Sequence, residues 1–401
     1  MGPYRALLIY HPDAIEEVLV TRNRDFIKPP GVRLLRPLIG EGLVVSEGDV
    51  WLRQRRLIQP AFHRQRIAGY GEIMTRYATQ KLTEWTDGQT IDVDAEMMAL
   101  TQAIVARTLF DADVSDEAHA GLDASRVWTE DFGARLRSFR VLPRWVPTPA
   151  NVRSGRAIRR LDQIVYRIIS ARRSSGEDRG DLLSILLNAQ DADDGKGMTD
   201  RQVRDEVMTL FMAGHETTAA VLSWSWYLLA QHPAVDARLA EELRTVLGGR
   251  SPTVADLPAL TYAEGVVTES MRLYPPAYII GRQAATRSEV AGHLIARGGI
   301  VMIPAWVVHR DGRWFEEPEA FRPERWAGDL ARRIPRYAYF PFGGGPRQCI
   351  GNAFAMTEAV LLLATIAQRF RLAMVPDQRV TPTPYVTLRP RPGPRLSLAR
   401  R

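Results

Sequence analysis

Phe342-Gly343-Gly344-Gly345-Pro346-Arg347-Gln348-Cys349-Ile350-Gly351 is the stretch on which this 401-residue sequence turns, and Cys349 is its only cysteine. Three consecutive glycines and a proline make a tight loop without side-chain bulk. An apolar helical pattern follows directly, over residues 351–370. The loop therefore delivers one sulfur to the mouth of a helix. Unpaired N–H groups there carry partial positive charge and favour an anion. A thiol in such a place is readily held as thiolate, the form that binds metal. One thiolate cannot build a zinc or iron–sulfur site, which needs several protein ligands. It can be the single axial ligand of a haem, whose porphyrin supplies the equatorial bonds.

The pattern Phe342-x-x-Gly345-x-Arg347-x-Cys349-x-Gly351 resembles the haem-binding signature of the cytochrome P-450 superfamily. The resemblance implies a mainly α fold with small β-sheets, and heme b (iron protoporphyrin IX) as cofactor. It implies that Cys349 is the axial metal ligand and that Phe342 packs near the sulfur. The N–H groups of Ile350, Gly351 and Asn352 would then point at the thiolate, and Arg347 would reach a haem propionate.

Other features resemble the same family in the same order along the chain. Ala213-Gly-His-Glu-Thr-Thr218 lies inside the longest helical pattern, where a glycine costs about 1 kcal/mol relative to alanine. Thr217 and Thr218 can bond back to carbonyls four residues earlier. Together these residues would distort the helix, and such distortions often mark function. A hydroxyl beside a carboxylate can relay protons and hold a water. The resemblance makes Glu216 the acid and Thr217 the alcohol of dioxygen activation, with Ala213 and Gly214 giving room above the iron. His215 is expected to be no ligand. Glu269-Ser-Met-Arg272 places opposite charges three apart on one helix face. With Arg325 in Phe321-Arg-Pro-Glu-Arg-Trp326, it resembles the family's buried structural network. Trp51 and Arg55 lie one helical turn apart, and arginine forks suit carboxylates. By resemblance Trp51, Arg55, Arg282 and Arg347 hold the haem propionates, whereas Arg53 and Arg56 are expected to face solvent.

Bulk properties agree with a large enzyme. At 45% hydrophobic, the chain can bury a sizeable core. No stretch approaches the roughly twenty apolar residues of a membrane span. The start shows no signal-peptide core, and Gly2 lacks the Ser or Thr of a myristoylation site. A lone cysteine precludes an intrachain disulfide and suits a reducing cytoplasm. The net charge of +7 is carried by arginine, with lysine only at 28, 81 and 196. The charges are dispersed and accompany no nucleic-acid motif, so an acidic redox protein is the expected partner.

Helical periodicity covers residues 14–19, 48–62, 64–85, 94–109, 116–139, 156–173, 199–229, 233–247 and 261–273. Thr199 and Gln202 form a capping-box start, and Pro233 marks the end of the long central helix. Residues 141–151 are proline-rich and 191–197 polar, and both are expected as loops. Residues 277–304 read as short strands, 316–341 as irregular, and the tail as extended. No repeat or flexible linker divides the chain, so residues 1–401 are expected to form one domain. The family normally has another helix and strand before residues 4–20, so the N-terminal elements are expected to be shortened.

These features point to a soluble, monomeric, cytoplasmic haem-thiolate monooxygenase. It would insert one oxygen atom from O2 into a hydrophobic small molecule, a terpenoid or fatty acid. Electrons would come from a ferredoxin or flavodoxin with its reductase, since the residues leave no room for a flavin module. Expected pocket segments are 26–45, 127–149, 208–214 and 277–280. A haem-thiolate peroxygenase or isomerase and a haem-based sensor are the competing readings. The first usually lacks the acid–alcohol pair, and the second needs a signalling module.

Overall fold

The computed structural model describes residues 6–110, 143, 145–191 and 195–401. The expected helix over 116–139 and most of the candidate pocket segment 127–149 lie outside the described residues. Helices of seven or more residues, in chain order, are α1 (Gly48–Ile58), α2 (Arg64–Leu82), α3 (Val93–Phe110), α4 (Pro149–Ser175) and α5 (Leu182–Asn188). They continue with α6 (Asp200–Gln231), α7 (Pro233–Leu247), α8 (Thr261–Leu273) and α9 (Asn352–Ala367).

By its internal contacts the chain forms two compact units. One comprises Met1–Pro29, Arg64–Thr101 and Glu216–Arg401; the other comprises Pro30–His63 and Gln102–His215. The first unit holds the small sheets. Strands β1 (Ala6–Leu8), β2 (Phe26–Ile27), β4 (Ile280–Ala284) and β7 (Ile300–Ile303) form one sheet in the order β1-β7-β4-β2, parallel only between β1 and β7. Strands β3 (Thr90–Asp92), β8 (Phe370–Met374) and β11 (Arg395–Arg400) make an antiparallel sheet in the order β3-β11-β8. Two hairpins complete the set, β5 (Ser288–Val290) with β6 (His293–Ile295) and β9 (Thr381–Pro384) with β10 (Leu388–Arg391).

Alternation on these strands sends Val301 and Ile303 into a cluster with Ile15, Val18, Leu19, Phe26, Tyr337 and Phe340. That cluster underlies the cysteine loop. Helix α9 is buried along nearly all of residues 357–367, so it is a core helix and not an amphipathic surface one. It packs on α2 through an edge-to-face pair, Tyr70 and Phe354, with ring centroids 5.7 Å apart. Gly71 lets α2 approach the short helix 254–259, because a Cβ there would meet Val254 at 2.2 Å, and it would also press on Leu361 of α9 at 3.3 Å.

In the second unit, buried ion pairs tie the helices. Arg172 donates to Asp181 at 2.8 Å and to Ser184 at 2.6 Å, joining α4 to the start of α5. Arg204 on α6 reaches Asp162 on α4 at 2.7 Å. Leu43 N–H donates to Glu206 at 3.0 Å. Helix α4 starts at Pro149, earlier than the periodicity indicates. Thr148 accepts the Asn151 N–H and Pro149 occupies the first turn, where proline's missing donor costs nothing. Arg53 and Arg56 do not simply face solvent. Arg53 donates to the Lys196 and Gly197 carbonyls at 2.9 and 3.1 Å, and Arg56 to buried Asp191 at 3.3 Å. Among the described residues, no helix is long and apolar enough to cross a membrane.

Candidate active site

The cysteine loop is held by its own backbone. Gly343 N–H donates to Phe340 O at 2.9 Å, and Cys349 N–H returns to Phe342 O at 2.9 Å. Gly343 and Gly345 have φ of +70° and +66°, a region that side chains resist. Gly345 is constrained further, since a Cβ there would lie 1.8 Å from the Leu19 carbonyl oxygen. The loop thus packs backbone to backbone on residues 17–21. It leaves the Cys349 thiol exposed just before α9. The N-cap, Gly351, supplies no side-chain cap to α9, and within the first turn Asn352 Oδ1 accepts the Ala353 N–H at 2.7 Å.

Two cations belong to the same unit. Arg282 sits on β4 opposite Val301, half-buried, with Nη1 2.9 Å from the Gly281 carbonyl. Arg347 is half-buried in the turn that precedes Cys349. Trp51 and Arg55, also half-buried, lie one turn apart on α1 of the other unit.

Helix α6 carries the acid–alcohol motif. Most of its residues from Val203 to Leu229 are buried, yet Ala213 is exposed and Gly214 and Thr217 are half-buried. Residues 213 and 217 are four apart, so the open positions form one stripe. Glu216 is 4% exposed and lies off that stripe. It accepts the Thr387 hydroxyl at 2.8 Å. Burial pushes its carboxyl above the usual range, opposed by the Thr387 bond and the Arg389 charge, with Asp94 pushing it further up. His215 is buried, bonds through Nδ1 to the Phe211 carbonyl at 2.6 Å, and sets its ring at a tilt to that of Phe211, 5.0 Å away.

The network expected around Glu269 is present. Glu269 and Arg272 are both wholly buried and meet in a bidentate pair at 2.8 and 2.9 Å. Glu269 also accepts from Arg325 Nε at 2.9 Å, Trp326 Nε1 at 2.8 Å and the Arg322 N–H at 3.0 Å. Arg272 donates onward to the carbonyls of His309, Pro318 and Ala320. His309 receives the Phe340 N–H at Nε2, which joins the network to the cysteine loop. Burial and the Arg272 and Arg310 charges push its imidazole down to about 3, so it is a neutral acceptor.

The sequence reading missed Glu358. It lies in α9, wholly buried, and neither carboxyl oxygen makes a well-formed hydrogen bond among the described residues. Burial pushes it up to about 8, and Thr218 is the polar group that opposes this. A single acid in the apolar run Asn352–Ala367 was the available signal.

These residues fit a haem. Among the described residues, no group of three or more His, Cys, Asp or Glu side chains could hold a metal. An exposed thiol at a helix mouth, with half-buried arginines in the same unit, would suit a metal carried in an anionic macrocycle.

Known proteins agree. The family model for cytochrome P450 matches residues 1–397. Cyclooctatin synthase of Streptomyces melanosporofaciens is 40% identical over 390 residues, spanning 97% of this chain and 85% of that protein. Pentalenene oxygenase of Streptomyces avermitilis is 37% identical over 396 residues, spanning 97% and 86%. The crystal structure of the cytochrome P450DA heme domain superposes with a TM-score of 0.92 at 29% identity, over 100% of this chain and 88% of that one. The chain belongs to the cytochrome P450 family, a haem-dependent family, and is a P450 monooxygenase.

Proposed function

We propose that this enzyme hydroxylates a cyclic terpenoid, with heme b held through Cys349 and electrons drawn from a separate ferredoxin or flavodoxin and its reductase. Two relatives support the substrate class. Cyclooctat-9-en-7-ol 5-monooxygenase of Streptomyces melanosporofaciens is 42% identical over 380 residues, and pentalenene oxygenase is named above. Terpenoids are favoured over fatty acids because of the substrate class that these relatives' names print. In this reading residues 1–401 work as one monomeric, cytoplasmic haem domain.

When bound, the haem supplies dioxygen binding, its reductive cleavage and the transfer of one oxygen atom to the substrate. The chain supplies the surroundings. Cys349 Sγ would give the thiolate, favoured by the positive end of the α9 dipole at which it sits. Phe342 and Gly351 shape the sulfur's side of the site. Arg282, Arg347, Arg55 and the Trp51 N–H would take the propionates. Ala213 would keep α6 small where substrate and oxygen must fit, while Gly214 lets α6 pack against Val105 of α3, which a Cβ would meet at 3.2 Å. Thr217 Oγ1 orders a proton at that face, and Glu216 renews it. A carboxyl pushed upward by burial keeps its proton closer to neutral pH, as a general acid requires.

The observation that carries the reading is the acid–alcohol pair on α6, with Thr217 on the open stripe and Glu216 buried beside it. The test is turnover of Thr217→Ala with a surrogate ferredoxin, its reductase and a cyclic terpene. Haem content and substrate binding should persist while NAD(P)H is diverted to hydrogen peroxide. Wild-type product per NAD(P)H would refute Thr217's role.

A further inference from the structure

Glu216 sits in a polar pocket whose other members come from distant parts of the chain. Thr387, 4% exposed, closes the β9–β10 hairpin and donates to Glu216 Oε1 at 2.8 Å. The hairpin is pinned there: Leu388 N–H donates to the Pro276 carbonyl at 3.0 Å, and Trp224 Nε1 on α6 donates to the Leu388 carbonyl at 2.9 Å. Two residues on, Arg389 Nη2 reaches Asp94 of α3 at 2.5 Å. Ser223, seven residues after Glu216 and on the same face of α6, donates to Asp94 at 3.3 Å and to Ala219 O at 2.7 Å. Arg389 Nε is buried without an acceptor among the described residues.

The charged and titratable groups acting on Glu216 are thus Arg389 and Arg391 from β10 and Asp94 from α3. Their signs oppose one another. Among the described residues, the Thr387 hydroxyl is the neutral donor that contacts the carboxyl directly. A donor to a buried carboxylate stabilises the ionised form and resists its neutralisation.

We propose that Thr387 is a positioning residue for the proton relay: through its hydroxyl the C-terminal hairpin sets the proton affinity and orientation of Glu216. This rests on the reading that Glu216 is the relay acid. Thr387 touches no reacting atom. Its hydroxyl favours release of the Glu216 proton towards Thr217, while the Arg389–Asp94 pair fixes the outer wall of the pocket. The tail hairpin is therefore a tuning element for coupling, and not only a packing element behind α6.

The experiment compares wild type, Thr387→Val, Thr387→Ser and Glu216→Gln in the resting holoenzyme by infrared titration of the carboxyl C=O band. The band missing from Glu216→Gln identifies Glu216. Thr387→Val should move its midpoint upward by about one pH unit, and Thr387→Ser should restore it. Product per NAD(P)H, measured across the same pH range, should shift in the same direction. Thr387→Ala replaces the valine variant if that one does not fold. An identified Glu216 band with an unmoved midpoint overturns the role of Thr387 and leaves the relay acid standing. Wild-type coupling in Glu216→Gln instead overturns the relay acid, whatever the midpoint does in Thr387→Val. A loss of thermal stability without a midpoint shift would mark the bond as packing alone and overturn the proposal.

Discussion

Glu358 gives the sharpest quantitative expectation. Its carboxyl has an ordinary value of 4.5, which burial raises to about 8 in the folded state. Because the folded value is the higher one, the folded chain holds a proton that the unfolded chain releases between those limits. Stability from this group is therefore fully present below 4.5 and falls as pH rises through about 8. Each unit of difference is worth about 1.4 kcal/mol, so between pH 5.5 and pH 8.5 the folded state loses roughly 3 kcal/mol through Glu358. Glu358→Gln keeps the shape and removes the titration. Urea denaturation of the holoenzyme, followed by tryptophan fluorescence at several pH values, reads the difference between the two proteins. The gap should widen by about 3 kcal/mol in favour of the glutamine variant from pH 5.5 to 8.5. Parallel stability curves would show that the Glu358 carboxyl is solvated or paired in solution, contrary to its complete burial.

Two further changes probe the scaffold. Gly345→Ala must force its Cβ into the Leu19 carbonyl from a φ of +66°. It should cost more than the roughly 1–3 kcal/mol of an overpacked side-chain site and sharply lower haem content on purification, because backbone yields less than a side chain. Glu269→Ala leaves Arg272 wholly buried without its carboxylate, and Arg325 and Trp326 without their shared acceptor. A loss of about 3–5 kcal/mol in chemical denaturation is expected, and a loss under 1 kcal/mol would mean that the network is solvated.

What could be read from the sequence depended on how local the cause was. The loop at residues 342–351 was legible because glycine, proline and cysteine each restrict backbone or chemistry at their own position. The long helices were legible because their apolar spacing is local too. Of the expected loop 141–151, residues 145–148 are indeed turn and coil, but proline density hid the helix start at Thr148 and Pro149. The pairing of Glu216 with Thr387 spans 171 positions, and no spacing encodes it. Likewise the tie from Arg53 and Arg56 to residues 191–197 depends on how the second unit closes on itself, which hydrophobic periodicity does not specify. Glu358 could have been found, because an acid amid Phe354, Val360 and Leu361 is the pattern of a buried titratable group.

The central claim is that Cys349 is the sole protein ligand of the haem iron. The most direct measurement is the carbon monoxide difference spectrum of the reduced protein, for wild type and Cys349→Ser. The wild type should show the red-shifted band of a thiolate-ligated haem. The serine variant should retain some haem and lose that band entirely. Persistence of the shifted band in Cys349→Ser would contradict the assignment, since this chain has no other cysteine to supply a thiolate.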